Sequence, residues 1–462
     1  VGKMKEIIFA LNDKRPKYKQ IYEKLKLYIE QGDIQTNEQL PSIRRLAESL
    51  GVSRNTTLTA YEQLVAEGYI RGEGRRGYFV NHLEPLLLNN PFTEMREEVS
   101  QTSPEILVDF RAGAVDSSHF PVKIWRKMAN QTLAMSASYT YGDPFGEELL
   151  RLEIVRYLFQ SRGVETNSDA VIIGSNTQQM LLNIGHILKP KYNSIIVENP
   201  GYDGAREVFR LHRFQLETLP IQKSGADFSH LDQLQSKLIY VTPSHQCPLG
   251  VTMPIQQRQA LIQWANNRDG YIIEDDYDSE FRYTQKPFPA LSSIDATRVL
   301  YIGNFSKAFL PGLRMCYMVL PEPILSQYKK TFGIFQHTAS KLHQLTMAKM
   351  MEEGEWLRHI KRMRLIYQRK MKLMASELRR TFEDKITIIG EQSGLYLLIQ
   401  VHLGKSEDWL IEQAQKQGVK IYSTLPHFIG QYPSEPLLKL GFSNLSTADI
   451  VKGVSLLKAA WT

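Results

Sequence analysis

A chain of 462 residues exceeds the usual ~100–200 residues per domain, so two or three folding units are expected. Hydrophobic residues at 42% and charged residues at 23% suit a globular protein with a large core, and no window approaches ~18 unbroken apolar residues, which leaves no room for a membrane-spanning helix. The formal charge is +7, and residues 1–80 carry 14 basic and 10 acidic side chains, a net of +4 that suits contact with a phosphate backbone and equally a solvated helical surface.

Only Cys247 and Cys316 occur, far apart and without a Cys/His cluster, so neither a disulfide framework nor a metal centre is expected. The opening VGKMKEIIFALNDKRP lacks the apolar run of a secretory leader. A reducing cytoplasm is the expected location.

In chain order, Tyr18–Ile29 carries helical periodicity, with Ile21, Leu25, Tyr28 and Ile29 on one face. Ser42 is placed to cap a second helix that buries Ile43, Leu46, Ala47 and Leu50 and stops at Gly51. Ser53 caps a third, running to Gly68. Two short helices joined by a tight glycine turn make a helix-turn-helix. Tyr69–Arg71 and Gly77–Val80 then read as strands flanking the basic tip Gly72–Arg76, a wing. The third helix would present Arg54, Asn55, Thr56 and Thr57 to base edges, while Ser53 and the helix start favour phosphate.

The run LPSIRRLAESLGVSRNTTLTAYEQLVAEGYI with the terminal GYFV resembles the winged helix-turn-helix domain of GntR-type bacterial regulators. That resemblance implies double-stranded operator DNA as partner, contacted by Arg44, Ser53, Arg54, Asn55, Thr56 and the wing residues Gly74, Arg75 and Arg76. The expected domains are 1–80 for DNA reading, 81–106 as a linker marked by Asn-Asn-Pro and Gln-Thr-Ser-Pro, and 107–462 for an effector body.

Within the body, apolar runs alternate with helical periods, as in a buried, mostly parallel sheet: Ala170–Ile173, Ser194–Val197, Leu238–Val241, Tyr271–Ile273 and Val299–Ile302. Ligands of open α/β sheets gather at strand carboxyl ends. There stand Gly174-Ser175-Asn176-Thr177 at a helix start, Glu198-Asn199-Pro200-Gly201-Tyr202, the carboxylates Glu274-Asp275-Asp276 before Tyr277, and Gly303-Asn304-Phe305-Ser306-Lys307 with Arg314 soon after. Each is unremarkable by itself. Together they offer an anion cradle, a stacking ring, a carboxylate, a phenol, a lysine and an arginine, the set that pyridoxal 5'-phosphate needs.

Their order, and the motifs EDDYDSEFRY and NFSKAFLPGLR, resemble the fold-type I aminotransferases. The resemblance implies that Lys307 forms the internal aldimine, Asp275 pairs with the pyridine nitrogen, Tyr277 contacts the ring oxygen and Tyr202 stacks on the ring. It also implies that Ser175, Asn176, Thr177, Ser306 and Arg314 hold the phosphate. Two departures stand out. Leu438-Lys439-Leu440-Gly441-Phe442 puts a lysine where the family grips the substrate carboxylate with arginine, unless another arginine such as Arg206 compensates. The segment that usually brings asparagine to the ring oxygen reads Thr242–Gly250, so His245 or Gln246 is the expected substitute.

A GntR-type head joined to an aminotransferase-like α/β body resembles the MocR/GabR subfamily of regulators. That implies a homodimer whose body governs DNA binding. Lys439 favours the PdxR-type reading, in which pyridoxal phosphate itself is the signal for vitamin B6 genes, over catalysis. The alternatives are a regulator that answers to an amino acid such as γ-aminobutyrate and a working aminotransferase with an added DNA-binding domain.

Overall fold

The computed structural model describes residues 9, 11, 15–83, 105–222, 225–283, 288–336 and 339–462. The chain divides into two compact units, 1–102 and 103–462. Most of the expected linker lies outside the described residues.

The first unit contains α1 (Lys17–Glu30), α2 (Ile43–Leu50), α3 (Arg54–Ala66) and the antiparallel pair β1 (Ile70–Gly72) and β2 (Tyr78–Val80). Ser42 Oγ accepts from the Arg45 N–H and Ser53 Oγ from the Thr56 N–H, both at 3.2 Å, so α2 and α3 each start at the serine their sequence nominates. Gly51 closes α2 at φ 63°, the left-handed conformation that glycine adopts without strain. Ile21, Leu25, Ile29, Leu46, Ala60, Tyr61, Leu64, Ile70 and Val80 form one core. Thr57 is also fully buried, which corrects the expectation that it faces DNA: on α3 it falls on the same side as Ala60, Tyr61 and Leu64.

The second unit is built on an eight-stranded sheet in the order β4-β11-β10-β9-β8-β5-β6-β7. Its strands are β4 (Val171–Gly174), β5 (Ser194–Asn199), β6 (Gln215–Gln222), β7 (Gly225–Ala226), β8 (Leu238–Val241), β9 (Tyr271–Asp276), β10 (Val299–Asn304) and β11 (Cys316–Val319). The five expected runs are five of these strands. They read as unbroken apolar stretches because both faces are covered: Ile195, Val197, Tyr240 and Ile273 enter one core, and Ile196, Ile239, Ile272 and Val299 enter another. β11 is antiparallel to both β10 and β4.

Around this sheet run α4 (Val122–Leu133), α5 (Glu148–Arg162), α6 (Thr177–Leu188), α7 (Asp203–Leu211), α8 (Ile255–Arg268), α9 (Glu322–Phe332), α10 (Lys341–Glu352) and the long α11 (Glu355–Phe382). A second, antiparallel sheet follows in the order β12 (Ile386–Ile389), β13 (Tyr396–Val401), β16 (Leu437–Gly441), β15 (Tyr422–Ser423). α12 (Glu407–Lys416) and α13 (Thr447–Trp461) pack against each other, and the entering strand β3 (Val108–Asp109) pairs in parallel with β14 (Val419–Lys420). No helix among the described residues is long and apolar enough to cross a membrane.

Candidate functional sites

The carboxyl ends of β4, β8, β9 and β10 converge with β13, β15 and β16 on a cleft of about 370 Å³. Strand alternation sorts the three adjacent carboxylates of β9. Glu274 accepts from the backbone N–H groups of Leu291 and Ser292 at 2.9 and 3.1 Å, and Asp276 pairs with Arg162 Nε at 2.8 Å, both away from the cleft. Asp275 points the other way and lines it. One of its oxygens accepts from Tyr240 Oη at 2.6 Å, while Oδ1 is buried with no hydrogen-bond partner in the structure. Burial raises the Asp275 carboxyl to about 7 against the opposing Tyr240 hydrogen bond, and neighbouring Asp276 and Asp278 raise it further.

Lys307 lines the same cleft. Its Nζ donates to the Gly113 carbonyl at 3.4 Å, and burial disfavours its ammonium form, lowering the amine from its usual range against the pull of Asp278. Asn304 ties two strand ends together: its Nδ2 donates to Thr177 Oγ1 at 3.3 Å and its Oδ1 accepts from the Ser306 N–H at 2.5 Å. Thr177 opens α6, where Asn176 is the cap and accepts from the Gln179 N–H at 3.0 Å. The helix start leaves first-turn N–H groups without intrahelical acceptors.

Of the expected cofactor residues, Lys307, Asp275, Tyr277, Tyr202 and Thr177 line the cleft. Ser175, Asn176, Ser306 and Arg314 are not among its lining residues; Ser306 adjoins it through its bond to Asn304, Asn176 immediately precedes Thr177, and Arg314 is exposed with φ 53°. The expected substitute at the ring oxygen is corrected. His245 is buried outside the lining, with Nδ1 2.8 Å from Asp278 Oδ2 and 3.0 Å from the Tyr277 hydroxyl, so it supports Tyr277 from behind. Gln246 Nε2 donates to the Pro200 carbonyl at 2.7 Å. Arg206 is likewise committed elsewhere, donating to the Pro426 carbonyl at 2.6 Å, and among the described residues no arginine lines the cleft.

Lys439 does line it, from β16. Its Nζ donates to His427 Nε2 at 2.9 Å, and His427 Nδ1 donates to the Gly201 carbonyl at 3.1 Å. Burial and then the Lys439 ammonium hold the His427 imidazole well below its ordinary value, so it is the neutral acceptor this arrangement requires. His427 and Cys247, both in the lining, were missed in the sequence because neither sits in a recognisable pattern.

In the first unit, Arg54 and Asn55 are exposed at the start of α3, and the hydroxyls of Ser53 and Thr56 lie 2.8 Å apart. The Ser53 cap is worth about 1 kcal/mol to the helix. Arg44 is exposed and paired with Glu48 at 2.9 Å. At the wing, Gly74 has φ 54°, Arg75 is exposed, and Arg76 pairs with Glu73 at 2.9 Å while Gln39 Nε2 holds the Arg76 carbonyl. Arg44, Arg54, Asn55, Arg75 and Arg76 are exposed on two helix starts and one hairpin tip.

The profile of the bacterial regulatory proteins of the gntR family matches residues 17–80, and that of aminotransferase class I and II matches residues 105–455. The uncharacterized HTH-type transcriptional regulator YdeL of Bacillus subtilis is 39% identical over 96% of this chain and 97% of its own length. The probable rhizopine catabolism regulatory protein MocR of Rhizobium meliloti is 30% identical over 96% and 94%. The pyridoxine biosynthesis transcriptional regulator PdxR of Corynebacterium glutamicum is 27% identical over 95% of each chain. Among solved structures, the α-aminoadipate aminotransferase LysN of Thermus thermophilus, complexed with N-(5'-phosphopyridoxyl)-L-leucine, superposes with a TM-score of 0.70 at 24% identity, covering 77% of this chain and 92% of its own. That likeness establishes the fold-type I aminotransferase fold. A GntR-type DNA-binding head, an aminotransferase class I and II body and full-length kinship with HTH-type regulators together mean that the chain belongs to the MocR/GabR subfamily of transcription regulators.

Proposed function

We propose that this regulator binds pyridoxal 5'-phosphate in the cleft of its second unit and uses the cofactor itself as the signal that sets operator binding, controlling vitamin B6 biosynthesis genes. The observation that carries cofactor binding is Asp275 Oδ1, a buried carboxylate oxygen with no hydrogen-bond partner in the structure, in a cleft that also holds a lysine with a depressed proton affinity. A ring N–H is the donor such an oxygen lacks.

Bound pyridoxal phosphate would supply an aldehyde that condenses with an amine, on a ring that absorbs in the near visible. Lys307 would provide that amine, and burial disfavours its ammonium form. Asp275 would hold a proton on the ring nitrogen. Tyr277, with His245 behind it, would donate to the ring oxygen, and Tyr202 would stack on the ring. The start of α6 with Thr177 in the lining would take the phosphate, and Ser175, Asn176, Ser306 and Arg314 beside the lining would complete the set.

The preference for the cofactor as signal rests on Lys439. An ammonium with one N–H engaged by His427 is a point charge, without the planar fork that grips a carboxylate in two places, so amino acids are held less firmly. Kinship with PdxR supports the same reading. In this reading the body is an effector-binding device rather than a working transaminase, and the functional protein is a homodimer.

The test is binding of the full protein to a labelled fragment of its own upstream region, with and without pyridoxal phosphate. A change of affinity or footprint with the cofactor alone is expected. A response that waits for an added amino acid would replace this reading with an amino-acid-responsive regulator, and absence of specific binding together with keto-acid-dependent turnover would replace it with an enzyme.

A further inference from the structure

The Lys307 amine rests against the backbone of a distant segment. Its Nζ donates to the Gly113 carbonyl at 3.4 Å, at the long limit for such a bond, and a β-carbon built on Gly113 would lie 1.9 Å from Nζ. Gly113 also has φ 84°. Both the approach and the backbone conformation therefore call for glycine.

The segment is fastened on either side by groups outside the cleft lining. The Gly441 N–H donates to the Phe110 carbonyl at 2.8 Å, and the Phe110 N–H to the Lys420 carbonyl at 3.0 Å. Ser443 Oγ donates to the Ala114 carbonyl. Buried Lys370 donates to Asp116 at 2.7 Å and to the Ser443 carbonyl at 2.9 Å, while the Asp116 N–H donates to the Tyr367 hydroxyl at 3.1 Å. Tied down at Phe110, Ala114 and Asp116, the chain between them has little freedom except through what Gly113 touches.

The geometry points to residues 110–116 as a positioning strap for Lys307: the Gly113 carbonyl aims the free amine into the cleft and loses its donor when that amine is consumed. This rests on the reading that Lys307 captures an aldehyde. In that condensation the Nζ lone pair attacks the carbonyl carbon, a C=N bond forms, and the carbonyl oxygen leaves as water with the two amine hydrogens. The Gly113 carbonyl must then find another donor or turn towards solvent, which loosens the strap. In chain order the strap is nearly the first part of the effector unit, so the state of Lys307 is registered next to where the chain enters from the linker.

Hydrogen exchange of the 110–116 amides in the full-length protein separates capture from mere occupancy. Pyridoxine 5'-phosphate, with an alcohol in place of the aldehyde, fills the cleft without consuming the amine. Exchange severalfold faster with pyridoxal phosphate than with pyridoxine phosphate is expected, and Lys307→Ala should erase the difference. Ser443→Ala, which frees the Ala114 carbonyl from outside the cleft lining, should slow the growth of the near-visible band severalfold while leaving pyridoxine phosphate affinity unchanged. A band that forms with equal exchange under the two ligands, or at an unchanged rate in Ser443→Ala, overturns the strap. A wild-type protein that gives no band overturns the cofactor reading instead.

Discussion

The two units use charge in opposite ways. On the first, Arg54, Arg75 and the paired Arg44 and Arg76 stand in water, and carboxylates such as Glu48 and Glu73 hold the latter two in surface ion pairs of small worth. In the cleft of the second, Asp275 and Lys307 are withdrawn from water and left incompletely satisfied. A surface that reads DNA keeps its charges solvated until the partner arrives, so its residues contribute little to folding. A cleft that captures a small molecule holds its groups in an uncomfortable state that the ligand relieves, so function there is paid for in stability.

The sharpest way to break this contrast is at Lys307. Lys307→Ala should abolish the absorbance band that pyridoxal phosphate gives with the wild-type protein while leaving the circular dichroism intact; a full-strength band in the variant would dismantle the cleft assignment. Next in size is Arg54→Ala, which should weaken operator binding by about 10- to 100-fold, or about 1–3 kcal/mol, and leave both melting temperature and cofactor band unmoved. Gel-shift titration alongside calorimetry checks both halves, and a drop in melting temperature would mean that the head's arginines serve the fold after all.

The smallest effect sharpens the other side. Burial lifts Asp275 from its usual carboxylate range to about 7, so between roughly pH 4 and 7 the cofactor-free folded chain binds more protons than the unfolded one. This contribution to stability is present below the unfolded-state value and lost as pH rises through the folded one, at no more than about 1.4 kcal/mol per pH unit. Asp275→Asn removes it. Urea denaturation at pH 5, 6 and 7 should show a shallower decline in the variant, though not a flat one, because burial also raises Glu198 and Glu280 to about 7. Equal slopes would show that Asp275 is not the strained group of the cleft.

The sequence is legible where physics acts locally. Ser42 and Ser53 announce helix starts because a cap needs only its own next three residues, and the runs at 171–173 and 271–273 read as strands because two cores cover them. Where contact depends on tertiary placement, local reading fails. Thr57 looks like a recognition residue until the core side of α3 claims it, and His245 looks like a cleft residue until Asp278 draws its ring behind Tyr277. His427 meets Lys439 only because β15 and β16 set Tyr422 opposite Lys439 in an antiparallel pair. Nothing near Gly113 in the chain announces that a lysine 194 positions away will rest on it.

The antiparallel strand β11 has one more consequence. Cys316 is registered against Gly174 on one side and Asn304 on the other, so exactly one strand separates the end of β4, with its helix start, from the end of β10, which leads to Lys307. Two interstrand steps amount to about 10 Å, fixed by backbone hydrogen bonding rather than by adaptable side chains. A substitution that remodels side chains at either strand end therefore leaves the spacing between the start of α6 and the turn that carries Lys307 unchanged.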